Sequence, residues 1–344
     1  MIRYNDIRMG AIAIHRVGNK HRAERNFIAE GTSDLEVEIR AALLSYFLKP
    51  LKREDQRYRF ELDERTGANI IRNAAAEIFI DPASLYEQSV VILHHLYNQS
   101  THPNIKSGEL YVAHFTDIIV DDELVNAVGI FKSERRSEFL KITSGGTHLD
   151  LKIQDGINLG RLDKGCLILD AAAGDNYRVL SVDNNSYDTE YWLRSFLLME
   201  PVKDQVFQTK NFMELCNSFS EEVVAKDAGK GEQMKFIADS VDYFANNEQF
   251  DFDKFREEIL VDEPRERKFK QFQEDYEFPE NYSFEISQPA VSKARKKMSN
   301  LIKLDSGVQI KLDHASEAAQ SYMEKGFDEG KGMHYYKVYF NEEL

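Results

Sequence analysis

The run Glu109–Lys132, ELYVAHFTDIIVDDELVNAVGIFK, decides how the chain is organised. Val112 and His114, then Val125, Ala127 and Gly129, follow every-other-residue spacing. The interleaved Tyr111, Ala113, Phe115, Val128 and Ile130 are apolar as well. Two adjoining runs rich in β-branched and aromatic residues, apolar at both alternating sets of positions, predict paired strands with something packed on each face. Asp121-Asp122-Glu123 between them has the polarity and length of a hairpin turn. The expectation is that 109–117 and 123–132 pair antiparallel inside the main sheet.

Upstream, Ile7–Val17 alternates and predicts a first strand, followed by a turn at Gly18-Asn19-Lys20, with Phe27–Glu30 pairing back. A helix is expected from Asp34 to Lys49, where Leu35, Ile39, Ala42, Leu43, Tyr46 and Phe47 share a face, with Pro50 stopping it. The charged segment 52–66 suits a loop or short strand. A further helix runs from Ala68 to just before Asp81-Pro82. That dipeptide starts the clearest helix of the chain, with Asp81 as N-cap, Pro82 in the first turn and an end near Ser100. It should pack on the hairpin sheet.

Downstream, Phe139–Thr143 is expected as a short strand before a turn at Ser144-Gly145-Gly146. Cys166–Ala171 and Tyr177–Asp183 pair around Gly174-Asp175-Asn176. Beyond 200 the pattern changes to helical period over Asp204–Phe219, Glu232–Asn246, Asp251–Leu260 and Pro264–Tyr276. A basic helix, AVSKARKKM, follows Ser287-Gln288-Pro289. Short strands close the chain over Leu301–Leu312, broken at Asp305-Ser306-Gly307, and over His334–Phe340. The predicted fold class is α+β: an antiparallel sheet with packed helices, then a mostly helical region with a small C-terminal β-hairpin. Two domains are expected at this length, residues 1–200 and 201–344.

Of the 344 residues, 42 % are hydrophobic and 30 % charged, as in globular proteins. No run of 18 apolar residues predicts a membrane span. The N-terminal MIRYNDIRMGAIAIHR lacks a continuous apolar core and a small-residue cleavage site, which predicts mature cytosolic sequence. Cys166 and Cys216 are expected as buried thiols. A formal charge of −15 opposes indiscriminate polyanion binding. It leaves room for a local basic patch, because fields are screened beyond about 8 Å at physiological salt.

No catalytic constellation accompanies the strands. His94 and His95 are neighbours on a helix and diverge by about 100°, and no HExxH or Cys–His spacing exists. The glycines at 145–146, 156, 160 and 165 form neither dinucleotide nor phosphate loop, and GxSxG is missing. Asp121-Asp122-Glu123 suits a solvated turn better than a cation site. The expectation is a non-enzymatic protein with no cofactor and no metal.

Basic segments are the remaining signal. Lys293, Arg295, Lys296, Lys297 and Lys303 fall in a stretch, Ser287–Leu304, that contains no Asp or Glu. On a helix Lys293, Lys296 and Lys297 stand at i, i+3 and i+4 and share a face that can meet consecutive phosphates. The alternative is a solvated face, or docking on the acidic region 248–285. A second cluster, Arg16, Lys20, Arg22 and Arg25 with His15 and His21, surrounds the first turn; an ordinary polar hairpin explains it at least as well. Neither cluster has the interleaved aromatics of an RNA-binding sheet.

Four stretches together resemble the bacterial nucleoid-associated protein family, the NdpA-like group. They are IHRVGNK (Ile14–Lys20), SGELYVAHFTDIIVDDELVNAVGIFKSE (Ser107–Glu134), YWLRSFLLMEPVKDQVFQTKNFMELCNSF (Tyr191–Phe219) and IKLDSGVQIKLD (Ile302–Asp313). The resemblance implies a cytoplasmic, nucleoid-located protein that binds double-stranded DNA; the expectation here is contact through backbone phosphates with little sequence preference, with RNA as an alternative. It brings no residue-level contact motif, so the candidate residues rest on charge pattern alone. The second hypothesis is an interaction or scaffold protein, recruited to the nucleoid by a protein partner through the acidic region 248–285. No membrane partner is expected, and no oligomeric state is specified.

Overall fold

The structure is a computed structural model. It describes residues 2–342 except 5, 53, 55, 64, 146–147, 174–175, 186–190, 276–282, 298–300, 304–305, 312–322 and 341. Contacts divide the chain into two compact units, Met1–Val202 and Lys203–Leu344.

In the first unit an antiparallel sheet is built from β1 (Ile2–Arg3), β2 (Arg8–Val17), β3 (Arg57–Phe60), β4 (Gly108–Val120), β5 (Glu123–Ser133), β8 (Lys164–Ala173), β9 (Asn176–Asp183) and β10 (Met199–Pro201). Its order is β1-β4-β5-β8-β9-β3-β10, and β2 lies on the same edge of β4 as β1. β6 (Arg136–Gly145) and β7 (His148–Ile157) form a separate ribbon. As expected, β4 and β5 are interior, with β5 also pairing β8. Their turn is the two-residue Asp121-Asp122, φ 49° and 71°. Positive φ at both positions is the twist that a two-residue hairpin needs, and Asp tolerates it. Arg178 pairs with Asp121 at 2.8 Å, and Arg3 pairs with Asp122.

The double apolar pattern is explained by helices on both faces. Leu110, Val112, Val128, Ile130, Cys166 and Ile168 pack with α2 (Ile70–Ile80), α3 (Leu85–Gln99) and the buried Trp192 and Phe196. On the other face Tyr111, Ala113, Phe115, Ala127, Phe131 and Leu167 pack with α1 (Val37–Leu51). Phe47 of α1 stacks on Phe131 with ring centroids 4.1 Å apart. Asn69 caps α2 by accepting from the N–H groups of Ile71 and Arg72. Asp81 caps the 3-10 turn Pro82–Ser84 that leads into α3.

Four local expectations are corrected. Pro50 does not stop α1, which runs on to Leu51; near the C-terminus only one intrahelical donor is lost. The helix begins at Val37 rather than Asp34. Phe27–Glu30 makes a single bridge, Arg16 to Phe27, and no strand. The strand placed at Phe139–Thr143 is ten residues long, and its equally long partner β7 went unforeseen.

The second unit is mostly helical: α4 (Gln205–Phe219), α5 (Ala225–Asn246, kinked at Gly229 with φ 85°), α6 (Phe252–Phe255), α7 (Glu263–Asp275) and α8 (Gln288–Lys297). Short pairs β11 (Gln249–Asp251) with β12 (Ser283–Glu285), β13 (Leu301–Lys303) with β14 (Gln309–Lys311), and β15 (Met323–Asp328) with β16 (Met333–Val338) complete it. Its core is aromatic. Phe212, Phe219, Phe244, Phe250, Phe255 and Phe269 are each fully buried. The turn residues Gly146, Gly174, Asp175 and Asp305 lie outside the described residues.

Lys203 is exposed, with the last strand of the first unit ending at Pro201 and α4 starting at Gln205. Brief trypsin treatment should therefore cut there and leave two fragments that resist further digestion. Complete digestion after that cut would mean that the two parts share one core.

Candidate nucleic-acid interface

Helix α8 carries the more concentrated basic patch. Ser287 starts it: its N–H donates to Thr209 Oγ1 (3.0 Å) and its Oγ accepts from the Ala290 N–H (3.4 Å). Gln288 Nε2 donates to the Phe244 and Asn247 carbonyls. Ala290 and Val291 are buried, and Ala294 packs against the aromatic core. This anchoring fixes the helical phase. Arg295 and Lys296 face solvent, whereas Lys293 is half-buried and engaged with the protein. The structure therefore splits the expected face of Lys293, Lys296 and Lys297. The side chains of Lys297 and Lys303 lie outside the described residues; their backbones end α8 and β13.

The first-turn cluster is a rigid loop whose cations are largely spoken for. Asn19 is fully buried, donating from Nδ2 to the His102 and Ile105 carbonyls and accepting the Arg22 N–H. Gly18 is required by close approach: a Cβ there would stand 2.5 Å from the Glu24 carbonyl oxygen. Arg16 pairs with Glu109 at 2.8 Å, and Arg136 binds the same carboxylate. Lys20 donates to Asn98 Oδ1, and Arg22 to Glu24 Oε1 and the Pro103 carbonyl. Arg25 is exposed. Arg16, Lys20 and Arg22 would exchange partners to reach a phosphate, which weakens this patch relative to Arg295 and Lys296.

In the acidic region 248–285 some carboxylates of the described residues are paired internally. Lys254 pairs with Glu258 at 3.8 Å, Arg256 with Asp253 at 3.4 Å and Lys270 with Glu266 at 2.9 Å, whereas Arg265 and Lys268 turn to Glu232 and Asp227 outside it. Asp251 and Asp262 cap the helical segments that follow them. The region's excess of carboxylates over cations therefore stands.

One pair in the first unit has the composition of a hydrolytic dyad but not its geometry. His15 Nε2 lies 2.8 Å from Ser89 Oγ. The Ala29 N–H donates to His15 Nδ1, so Nε2 carries the proton and donates to Ser89. The Ser89 hydroxyl in turn donates to the Tyr86 carbonyl at 2.6 Å. No base takes the serine proton, so the pair is a packing device. Burial pushes both thiols, Cys166 and Cys216, far above the usual cysteine range. Among the described residues no three His, Cys, Asp or Glu converge to hold a metal. No helix there is long and apolar enough to cross a membrane.

Burial lowers the pKa of His15, His95 and His114 below the ordinary 6.5; for His95 a bond to the Phe196 carbonyl offsets part of this. The unfolded chain therefore binds protons more strongly at these sites. Their stabilising contribution is complete above the unfolded value and is lost as pH falls through the lower folded values. Depressed carboxylates such as Asp117 act only at lower pH still. Melting temperature should thus fall between pH 7.5 and 5.5 in a thermal scan. A flat profile over that window would contradict the neutral assignment of these rings.

A family model described as nucleoid-associated protein YejK matches residues 13–331 of the chain. No curated protein matches it.

Proposed function

The chain belongs to the nucleoid-associated protein YejK family, and on that premise we propose that it binds double-stranded DNA at the cytoplasmic nucleoid, through backbone phosphates and with little sequence preference. Its nucleoid-related role follows from the family; the mode of contact is read from this chain. The observation that carries it is α8, whose exposed Arg295 and Lys296 belong to an 18-residue carboxylate-free stretch, Ser287–Leu304, in a chain of net charge −15. A cationic helix face held by an aromatic core can meet phosphates without reordering the fold. Lys297 and Lys303 continue the same stretch in sequence, and Arg16, Lys20, Arg22 and Arg25 form a secondary patch. The function requires no catalysis, cofactor or metal.

Recruitment through a protein partner is the competing account. The surface that such a partner would meet is 248–285, where carboxylates outnumber cations.

Charge reversal tests the proposal. Arg295→Glu with Lys296→Glu should weaken duplex binding by at least tenfold in a gel-shift titration, equally on unrelated sequences, since phosphate contacts carry no base information. Melting temperature should hardly change, because exposed charges contribute little to stability. Reversal of Arg16 and Arg25 should cost less. Unchanged affinity in the α8 double variant would move the interface elsewhere.

A further inference from the structure

The ribbon β6–β7 carries an apolar face that the first unit leaves in solvent. Its register pairs Leu140 with Ile153, Ile142 with Leu151 and Ser144 with Leu149. Cross-strand partners and residues two apart share a face, so Leu140, Ile142, Leu149, Leu151 and Ile153 form one aliphatic surface. These five side chains are 54 %, 57 %, 65 %, 60 % and 72 % exposed. The opposite face is different: Phe139 lies across Gly156, and Lys141 stands beside Lys152.

The ribbon is firmly rooted. Asp163, itself buried, accepts the N–H groups of Glu134 and Arg135 just before β6. At the base Arg136 bonds both Asp155, its neighbour on β7, and Glu109 of β4. Ten-residue strands held at the root but bare on an aliphatic face are an unstable arrangement alone, because an isolated two-stranded hairpin is marginal in water.

We propose that this face is the interface with a second copy of the same chain, the two ribbons packing aliphatic face to aliphatic face about a two-fold axis. Three observations favour that occupant. Between Leu140 and Ile153 the face holds no charged side chain, so neither phosphate nor a charged peptide finds a partner on it. The rows Leu140–Ile153 and Ile142–Leu151 are aliphatic throughout, so the same patch on a second copy meets it apolar to apolar, as an isologous contact requires. The charges that border it on the same face, Glu138 and Asp155, sit at the root, where Arg136 bonds Asp155. Two chains of charge −15 therefore meet on the aliphatic rows across uncharged side chains. Five such side chains with their strand backbone amount to roughly 500 Å² per copy, about 1,000 Å² in all, at the lower edge of specific interfaces. The inference is independent of the DNA-binding proposal.

Sedimentation equilibrium of the full chain is the test. At about 20 µM the wild type should give twice the chain mass of 39.8 kDa. Ile142→Glu with Leu151→Glu should give the single-chain mass at that concentration, with an unchanged melting temperature. Lys141→Glu with Lys152→Glu, on the opposite face of the same ribbon, should remain dimeric. A monomeric wild type at 100 µM, a dimeric Ile142/Leu151 variant, or loss of the dimer in both variants would each overturn the proposal. So would a monomeric wild type that co-sediments with phosphatidylcholine vesicles, which would assign the face to a lipid surface instead.

Discussion

Val128→Asp should abolish folding of the first unit, seen as loss of the cooperative thermal transition of the isolated Met1–Val202 fragment or of its counterpart in the full chain. Val128 is fully buried in β5, opposite His114 and beside Ile168, in the layer that packs on α2 and α3. Its cross-strand partner His114 is buried and held toward the neutral form, so no standing cation awaits the carboxylate. Burying an unpaired carboxylate costs several kcal/mol even when the group takes up a proton, against a typical domain stability of about 5–15 kcal/mol. Survival of a native-like transition would mean that the face is wetter than the packing of Leu110, Val112 and Ile130 implies.

The second large effect is expected where β5 meets β8. Lys132 and Lys164 are cross-strand partners, 0 % and 1 % exposed. Lys132 Nζ pairs with Glu134 at 2.8 Å and donates to the Lys106 carbonyl; Lys164 Nζ pairs with Asp183 at 2.7 Å. Both ammonium groups lie over the Tyr191 ring, at 5.6 and 5.7 Å. Burial pulls against the Lys132 charge, and Tyr191 and Glu134 outweigh it, raising its pKa. Glu134→Ala removes one partner and strands a buried cation, which should cost about 3–5 kcal/mol. Lys132→Met combined with Glu134→Leu should cost markedly less, because no uncompensated charge is left. Chemical denaturation of the two variants checks the order. Equal losses would show that the network acts by packing rather than by charge.

What the sequence revealed and what it concealed differ in range. The β4–β5 hairpin was legible because its signal is local: each strand alternates within a dozen residues, and apolar residues at both phases announce helices on both sides. α3 was legible through Asp81, Pro82 and its stripe. β11 and β12 were not, since Phe250 meets Phe284 across more than thirty residues and neither run is long enough to show a period. The ribbon was half legible. Leu149, Leu151 and Ile153 do alternate, and that alternation was the available signal for β7 and for Lys152 beside Lys141. Charge behaves in the same way. The carboxylate-free stretch around α8 is visible in the sequence, but the half-burial of Lys293 depends on how Ala290, Val291 and Ala294 phase the helix against the aromatic core. The engagement of Arg265 and Lys268 by Glu232 and Asp227 spans elements and was hidden in the same way. For the first-turn cluster, the acceptors that occupy Arg16 and Lys20, Glu109 and Asn98, are distant in sequence as well.

Salt dependence of DNA affinity tests the central claim most directly. Fluorescence anisotropy of a labelled duplex, titrated with the full chain between about 50 and 200 mM salt, should give a linear fall of log K with log[salt]. If about four phosphates are neutralised, the slope should lie near −3.6. Unrelated duplex sequences should give the same line. The Arg295→Glu, Lys296→Glu variant should give a slope shallower by roughly two contacts, near −1.8. A wild-type affinity that does not change with salt, or no binding to bare duplex at the lowest salt, would contradict phosphate contact and leave recruitment by a protein partner as the account of nucleoid association.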